Sequence, residues 1–265
     1  MPAELTIVVP AKNESQSLPR LLTSLSRQDY RHLPATKVFV ADAGSTDSTA
    51  AIAELCAARL SLQLEIIPGG LPAVGRNAGA RRATTPYVLF MDADVELADP
   101  TLLRRAMEAM EGRSLYCLTT DIGCSEGTRA DHLLFALNNL AQRASRWVSP
   151  FSTGMFMLFD TREFDRLRGF EERALYAEDY LLSKQVACRR FAVIPGGIRT
   201  SNRRFRKMGH SRVAWMFLKT ALNSHNHNYF LRDHGYWEHA TPQPAPPISP
   251  SVPAQREPAR GMREQ

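Results

Sequence analysis

The sequence predicts an α/β fold: a single domain on a mostly parallel central sheet flanked by helices, then a C-terminal helical extension and a disordered tail. Three observations predict it. Across the first 95 residues, short apolar runs alternate with amphipathic stretches, and strands separated by helices need crossovers that cover a parallel sheet on both faces. Polar segments rich in Asp, Asn and Ser follow those runs, where open parallel sheets hold their ligands. A chain of 265 residues with 44% hydrophobic and 23% charged residues has ordinary globular composition, which excludes wholesale disorder and fibrous folds.

Leu5 to Pro10 is a short apolar run of the kind that forms a buried parallel strand. Leu18, Leu21, Leu22 and Leu25 then fall on one face of a helix, with Asn13 or Ser15 as cap. Lys37 to Ala41 is the second strand. Ser45, Thr46 and Asp47 offer caps to a helix burying Ile52, Leu55 and Cys56. Leu62 to Ile67 is the third strand, a short helix runs through 75–82, and Tyr87 to Met91 is the fourth strand. Beyond these, Leu102, Leu103, Ala106, Met107 and Met110 mark a helix, and Leu133, Leu134, Leu137, Leu140 and Ala141 mark another. Gly154 to Phe159 reads as a strand, and Tyr180 to Arg190 as a helix.

Charge is unevenly spread. The formal net charge is +6, yet no acid occurs between Asp179 and Asp233 while eleven Lys and Arg residues do, so the rest of the chain is net acidic. That pattern points to an anionic ligand or surface met by the later part of the chain. The four cysteines lack the close spacing of a zinc site or disulfide framework. No basic leader precedes the first strand, and the charge-free stretch from Trp147 to Phe159 is 13 residues, short of the roughly 20 that span a bilayer. A cytoplasmic protein is expected, with peripheral contact at the inner face of the membrane through the basic 199–232 stretch as a further expectation. Seven of 17 prolines fall after Ala240, which predicts a disordered tail over 240–265.

The chemistry gathers at strand ends. Pro10 to Glu14 follows the first strand, Asp42 to Asp47 the second, and Asp92-Ala93-Asp94 the fourth. Asp92 and Asp94 leave an apolar strand on the same side of its pleat. Carboxylates so close repel, and an oxygen-seeking divalent cation resolves the conflict while keeping positions open for phosphate oxygens. Glu96 is within reach of the same ion. Small residues across Gly75 to Gly79 suit close backbone approach to a ligand, or close helix packing. Arg76 offers a planar fork for phosphate or carboxylate.

These segments, with Thr153-Gly154, Gly169 to Glu172 and Ala177 to Asp179, resemble in order and spacing the family 2 glycosyltransferases of the GT-A fold, over roughly residues 4–210. The resemblance implies an inverting, Mg²⁺- or Mn²⁺-assisted transfer of a sugar from a nucleoside-diphosphate sugar, a UDP-sugar being favoured. The acceptor is a glycan, a lipid-linked compound or a small molecule, bearing a hydroxyl or lipid phosphate. It divides the chain into a nucleotide-binding half (1–97), an acceptor half (98–210) and an extension (211–239). By the same resemblance Pro10, Ala11, Asn13 and Glu14 line the nucleoside pocket and Asp42 meets the base. Gly75, Arg76, Asn77 and Ala93 belong to the donor site, with Arg76 near the base or diphosphate. Asp94 meets the metal, and Asp92 contacts ribose or metal. Asp179 is the expected base beside Glu178, and Arg203 and Arg204 approach the leaving diphosphate, with His210 as an extra phosphate or metal contact.

Other classes fit less well. A nucleotidyltransferase wants a glycine-rich basic loop after the first strand, where Ala11 to Glu14 stands. A phosphohydrolase puts its Asp-X-Asp after the first strand, not the fourth. A nucleic-acid binder would interleave aromatics with its arginines, which are thin here, so no nucleic acid is expected. A catalytically inactive nucleotide-sugar binder would not need Asp92, Asp94 and Asp179 together. The apolar segment Val213 to Leu222 either packs on the core, the favoured expectation, or lies on an anionic membrane surface.

Overall fold

The computed structural model describes residues 3–234; the proline-rich 240–265 segment lies outside them. The described residues form one eight-stranded sheet of order β3-β2-β1-β4-β7-β6-β8-β5. Its first half is parallel: β1 (Leu5–Ala11), β2 (Lys37–Asp42), β3 (Gln63–Pro68) and β4 (Tyr87–Met91), joined by α1 (Leu18–Ser26), α2 (Thr49–Leu60) and α3 (Pro72–Ala80). The second half turns back. β7 (Phe156–Asp160) runs antiparallel to β4, β6 (Cys117–Cys124) antiparallel to β7, β8 (Phe191–Thr200) parallel to β6, and β5 (Val95–Leu97) closes the far edge.

Helices α4 (Leu102–Arg113), α5 (Arg129–Ser145), α6 (Thr161–Arg166), α7 (Glu178–Ser183), α8 (Arg203–Met208), α9 (His210–Leu222) and α10 (His227–Phe230) cover the second half. The main core lies between the sheet and α1 and α4, with Leu18, Leu21, Leu22 and Leu25 of α1 all fully buried, as their spacing predicts. On the other face Phe90, Phe159, Phe164 and Phe170 pack ring against ring. Asp47 does serve the α2 terminus, accepting from the Thr49 backbone N–H at 3.0 Å. The α1 N-cap position is Ser17, one turn from the expected caps, and its side chain makes no capping bond.

Three strands go beyond the sequence expectation. β6 hides behind polar letters: Thr119 and Thr120 are buried, and their hydroxyls donate to the carbonyls of Phe156 and Gly196. β8 contains Pro195-Gly196-Gly197, which punctuates a chain. Here it marks a shift in the β6–β8 register, and a Cβ at Gly197 would stand 1.8 Å from the Asp121 carbonyl oxygen. β5 has only three residues. The helix expected over 180–190 is shorter and starts earlier, as α7.

Two amphipathic expectations are corrected. α5 buries Asp131, Phe135 and Gln142, while Leu133 and Leu140 are 60% and 63% exposed. α9 does not sink into the core: only Val213 is buried, and Trp215, Phe217, Leu218 and Leu222 are exposed. In both helices the apolar surface exceeds what the sheet can cover. No helix among the described residues is long and apolar enough to cross a membrane.

Candidate active site

The carboxyl ends of β1 and β2 carry two loops stitched to each other. Asn13, in the left-handed region at φ 54°, donates its backbone N–H to Ser45 Oγ, and its Oδ1 accepts from the Thr46 N–H at 2.8 Å. The Glu14 N–H donates to Thr49 Oγ1, and the Ser15 N–H to Asp47. Asp42 accepts from both the backbone and the hydroxyl of Ser45. Asp47 is thereby pulled down to about 2, chiefly by the Thr49 hydroxyl. The loops form a rigid rim with Pro10, Asn13, Glu14 and Asp42 on it. The side chains of Ala11 and Ala93 are buried, each 4% exposed, so a ligand would meet chiefly their backbones.

Arg76 is the hinge of the site. The sequence offered its fork to phosphate or carboxylate, and the structure gives it two carboxylates. One Nη reaches Asp92 at 2.6 Å and the other Glu178 at 2.5 Å, with the residue 3% exposed. The guanidinium lies 5.3 Å from the Phe170 ring centroid. Burial alone would lower its pKa, but Asp92 and Glu178 outweigh that and raise it. Glu178, expected beside the base, is therefore a buried ion-pair partner and positioning residue. Asp179 is differently held: one oxygen accepts from the Gly154 N–H at 2.6 Å, the other from the Tyr180 N–H at 2.7 Å. Burial, reinforced by the Glu178 charge, pushes the Asp179 carboxyl up to about 7. A group so tuned can take up and give back a proton near neutral pH. Gly154 makes this possible, because a Cβ there would meet Arg76 Nη2 at 2.3 Å.

Asp94 faces the other way. Arg203, from α8, reaches Glu14 at 2.7 Å and Asp94 at 3.3 Å. Burial and the neighbouring Asp92 charge nevertheless push Asp94 up to about 6, so this carboxylate is short of positive charge. Among the described residues no three His, Cys, Asp or Glu side chains gather around one point, and Glu96 does not complete such a set. Two carboxylates without a closed protein cage fit a Mg²⁺-type ion, which takes one or two carboxylates and fills its shell from substrate phosphates and water. Arg204 lines the cavity described below, as Asp179 does, and its charge acts on Asp94.

Asn77, the Gly75–Gly79 segment and His210 all find protein neighbours. Asn77 does not face the donor rim: its amide donates to the Phe170 carbonyl at 2.8 Å and its carbonyl accepts from the Phe170 N–H at 3.0 Å, clamping that loop. Gly75 and Gly79 serve helix packing, since a Cβ at Gly79 would stand 2.3 Å from Val8 Cγ1 and one at Gly75 3.1 Å from Ala41 Cβ. His210 contacts Asp131 at 2.7 Å and stacks on Phe205, which ties α9 to α5; the buried Asp131 carboxyl is held well below the usual range by Asn202 and the Thr128 N–H.

Sequence reasoning missed a cavity of about 550 Å³ between α5 and α9, with Arg76, Asp92, Glu178 and Asp179 among its lining residues. Its signal was present in the leucines of α5 and the apolar run of α9, each too apolar for a helix with one buried face.

The comparisons agree with this geometry. A family model described as Glycosyl transferase family 2 matches residues 6–168. Poly(ribitol-phosphate) beta-N-acetylglucosaminyltransferase TarS of Staphylococcus aureus is 36% identical over 104 residues, 37% of this chain and 18% of that protein. The 4,4'-diaponeurosporenoate glycosyltransferase of Staphylococcus haemolyticus is 32% identical over 109 residues, 40% of this chain and 28% of that protein. The matches thus span less than a third of these relatives' length. Among solved structures, S. aureus TarS 1–349 in complex with UDP superposes with a TM-score of 0.59 at 20% identity, covering 75% of this chain and 60% of that one. A Pyrobaculum calidifontis mannosyltransferase in complex with GDP-Man and Mn²⁺ gives 0.58 at 22% identity, covering 74% and 55%. The fold is GT-A, and the chain belongs to glycosyl transferase family 2.

Proposed function

We propose that the protein transfers a sugar, with inversion, from a nucleoside-diphosphate sugar, a UDP-sugar by preference, to an acceptor hydroxyl or lipid phosphate. One observation carries this: Asp92 of the donor edge and the Glu178-Asp179 pair, 86 residues apart in the chain, are joined by a single buried guanidinium. Donor acids and base then sit at fixed separation, as a one-step displacement requires.

Asp179 takes the proton from the attacking acceptor oxygen, which forms its bond to the anomeric carbon as the bond to the diphosphate oxygen breaks. The backbone N–H groups of Gly154 and Tyr180 orient the carboxylate, and burial keeps its pKa close to the working pH. Arg76 holds Glu178 and Asp92 in place. Arg203 and Arg204 bring positive charge towards the departing diphosphate. Asp94 and Asp92 would hold Mg²⁺ or Mn²⁺, which supplies electrostatic stabilisation of the leaving group when bound. The mannosyltransferase solved with GDP-Man and Mn²⁺ and the TarS solved with UDP support such a donor. For the place of the reaction our reading is the cytoplasmic face of a membrane, and the exposed Trp215, Leu218 and Leu222 of α9, interspersed with Arg212 and Lys219, support the membrane part of it as the composition of an interfacial helix.

A melting panel of UDP, GDP, TDP and CDP with and without Mn²⁺ tests the donor. A nucleotide at a hundred times its Kd stabilises by about 2.7 kcal/mol, so UDP with Mn²⁺ is expected to raise Tm most. Absence of any nucleotide shift, or native turnover by Asp179→Asn, refutes the assignment.

A further inference from the structure

We propose that the cavity between α5 and α9 is the acceptor site and that it selects acceptors with an apolar body, presented to Asp179 by a hydroxyl or phosphate end. The proposal rests on the glycosyl-transfer reading for its chemistry, but its selectivity comes from the walls. Leu134, Leu137 and Ala141 of α5 face Met216, Phe217 and Ala221 of α9 across the cavity. A volume of about 550 Å³ lies within the roughly 300–1,000 Å³ of pockets that enclose drug-sized ligands. Leu137 and Phe217 line it and are also about half exposed, so its mouth opens at the protein surface between the two helices.

The charged part of the lining is Arg204 and the cluster of Arg76, Asp92, Glu178 and Asp179, while Asn138, Thr153, Tyr176, Thr220 and Ser224 add a few neutral polar groups. Three buried side-chain atoms among the described residues have no hydrogen-bond partner, and all belong to residues lining this cavity: Arg76 Nε, Asn138 Nδ2 and Thr153 Oγ1. Buried polar atoms are nearly always paired, so the unpaired ones mark the cavity wall as less completely packed than the core; the polar group that an acceptor's polar end would meet in the lining is Asp179. The leucine, methionine and phenylalanine walls disfavour polar bodies, because each hydroxyl of a glycan set against them loses its water without gaining a hydrogen bond. An apolar body loses nothing there.

The test is a titration of the full chain with N-phenyl-1-naphthylamine, a neutral dye that brightens in apolar surroundings, followed by displacement with dodecyl phosphate and butyl phosphate. Saturable brightening is expected, with dodecyl phosphate displacing the dye at least tenfold more effectively than butyl phosphate. Ala221→Trp fills the cavity from an exposed position, and Met216→Asp puts charge on its wall; each is expected to weaken dye and dodecyl phosphate binding at least tenfold. Equal displacement by the two phosphates overturns the proposal, as does undiminished dye binding in whichever variant retains a cooperative melting transition. The UDP and Mn²⁺ melting shift reads the donor site separately. Its absence beside intact chain-length dependence overturns the acceptor role and the glycosyl-transfer reading while leaving an apolar site; its presence with equal displacement overturns the apolar acceptor alone.

Discussion

Replacing Arg76 by methionine keeps most of the side chain's length and removes its charge. Two charge-assisted hydrogen bonds go with it, at 2.6 Å to Asp92 and 2.5 Å to Glu178. Their worth is unequal. Asp92 has a side chain 29% exposed and can recover water, whereas that of Glu178 is 7% exposed and cannot. Breaking a buried pair from one side costs about 3–5 kcal/mol, because the surviving charge is left uncompensated. That loss is expected for Arg76→Met in urea unfolding followed by tryptophan fluorescence, with the midpoint lowered and the slope unchanged. Two controls sharpen it. Adding Glu178→Gln neutralises the stranded carboxylate, so the double variant should recover a coupling of about 1–3 kcal/mol. Arg76→Lys, which keeps the charge but cannot fork to both carboxylates, should lose less than Arg76→Met. A loss under about 1 kcal/mol, or no recovery in the double variant, would refute the claim that Arg76 holds the two halves of the site together.

Three further outcomes are expected. Asp179 must be ionised to accept a proton, and its carboxyl is raised to about 7 by burial and by Glu178, so kcat/KM should fall as pH drops below about 7. Asp179→Asn should then cost roughly 10²–10⁴ in rate and abolish that limb; a profile flat from pH 5 to 8 contradicts the assignment. Gly79→Ala drives a methyl into Val8 at 2.3 Å, an overpacking that costs about 1–3 kcal/mol, measurable as a lower Tm; an unchanged Tm would show that α3 can shift away from β1. Sedimentation with vesicles containing anionic lipid should retain the protein, less so at high salt, and Trp215→Ser with Leu222→Ser should release it. Equal recovery in the supernatant with and without vesicles would remove the membrane from the proposal.

The half of the site built by local pattern was legible. Asp92 and Asp94 follow an apolar strand directly, Leu18 to Leu25 repeats at helical spacing, and the loops after β1 and β2 are turn-formers at strand ends. Those signals act over a few residues, so they survive without knowledge of the fold. The second half was not legible for an equally physical reason. β6 is held by buried threonine hydroxyls bonded to carbonyls of β7 and β8, and its letters read as polar until those partners are in place. The leucines of α5 read as a core face because sequence cannot say that α9 stands off to leave a cavity between them. Asn77 read as a donor contact and Glu178 as part of the catalytic pair without their partners in view: Phe170 and Arg76 lie 93 and 102 residues away.

By itself, then, the sequence determined the parallel nucleotide-binding half, the acids at its edge and the glycosyltransferase character of the motifs, because periodicity, turn chemistry and motif spacing are properties of neighbouring residues. Only the tertiary structure decided that Arg76 faces carboxylates and that burial pushes the Asp179 carboxyl up. It alone decided that the α5 and α9 side chains enclose a cavity. Burial and charge proximity belong to pairs of distant segments, and they exist only once the sheet has brought those segments together.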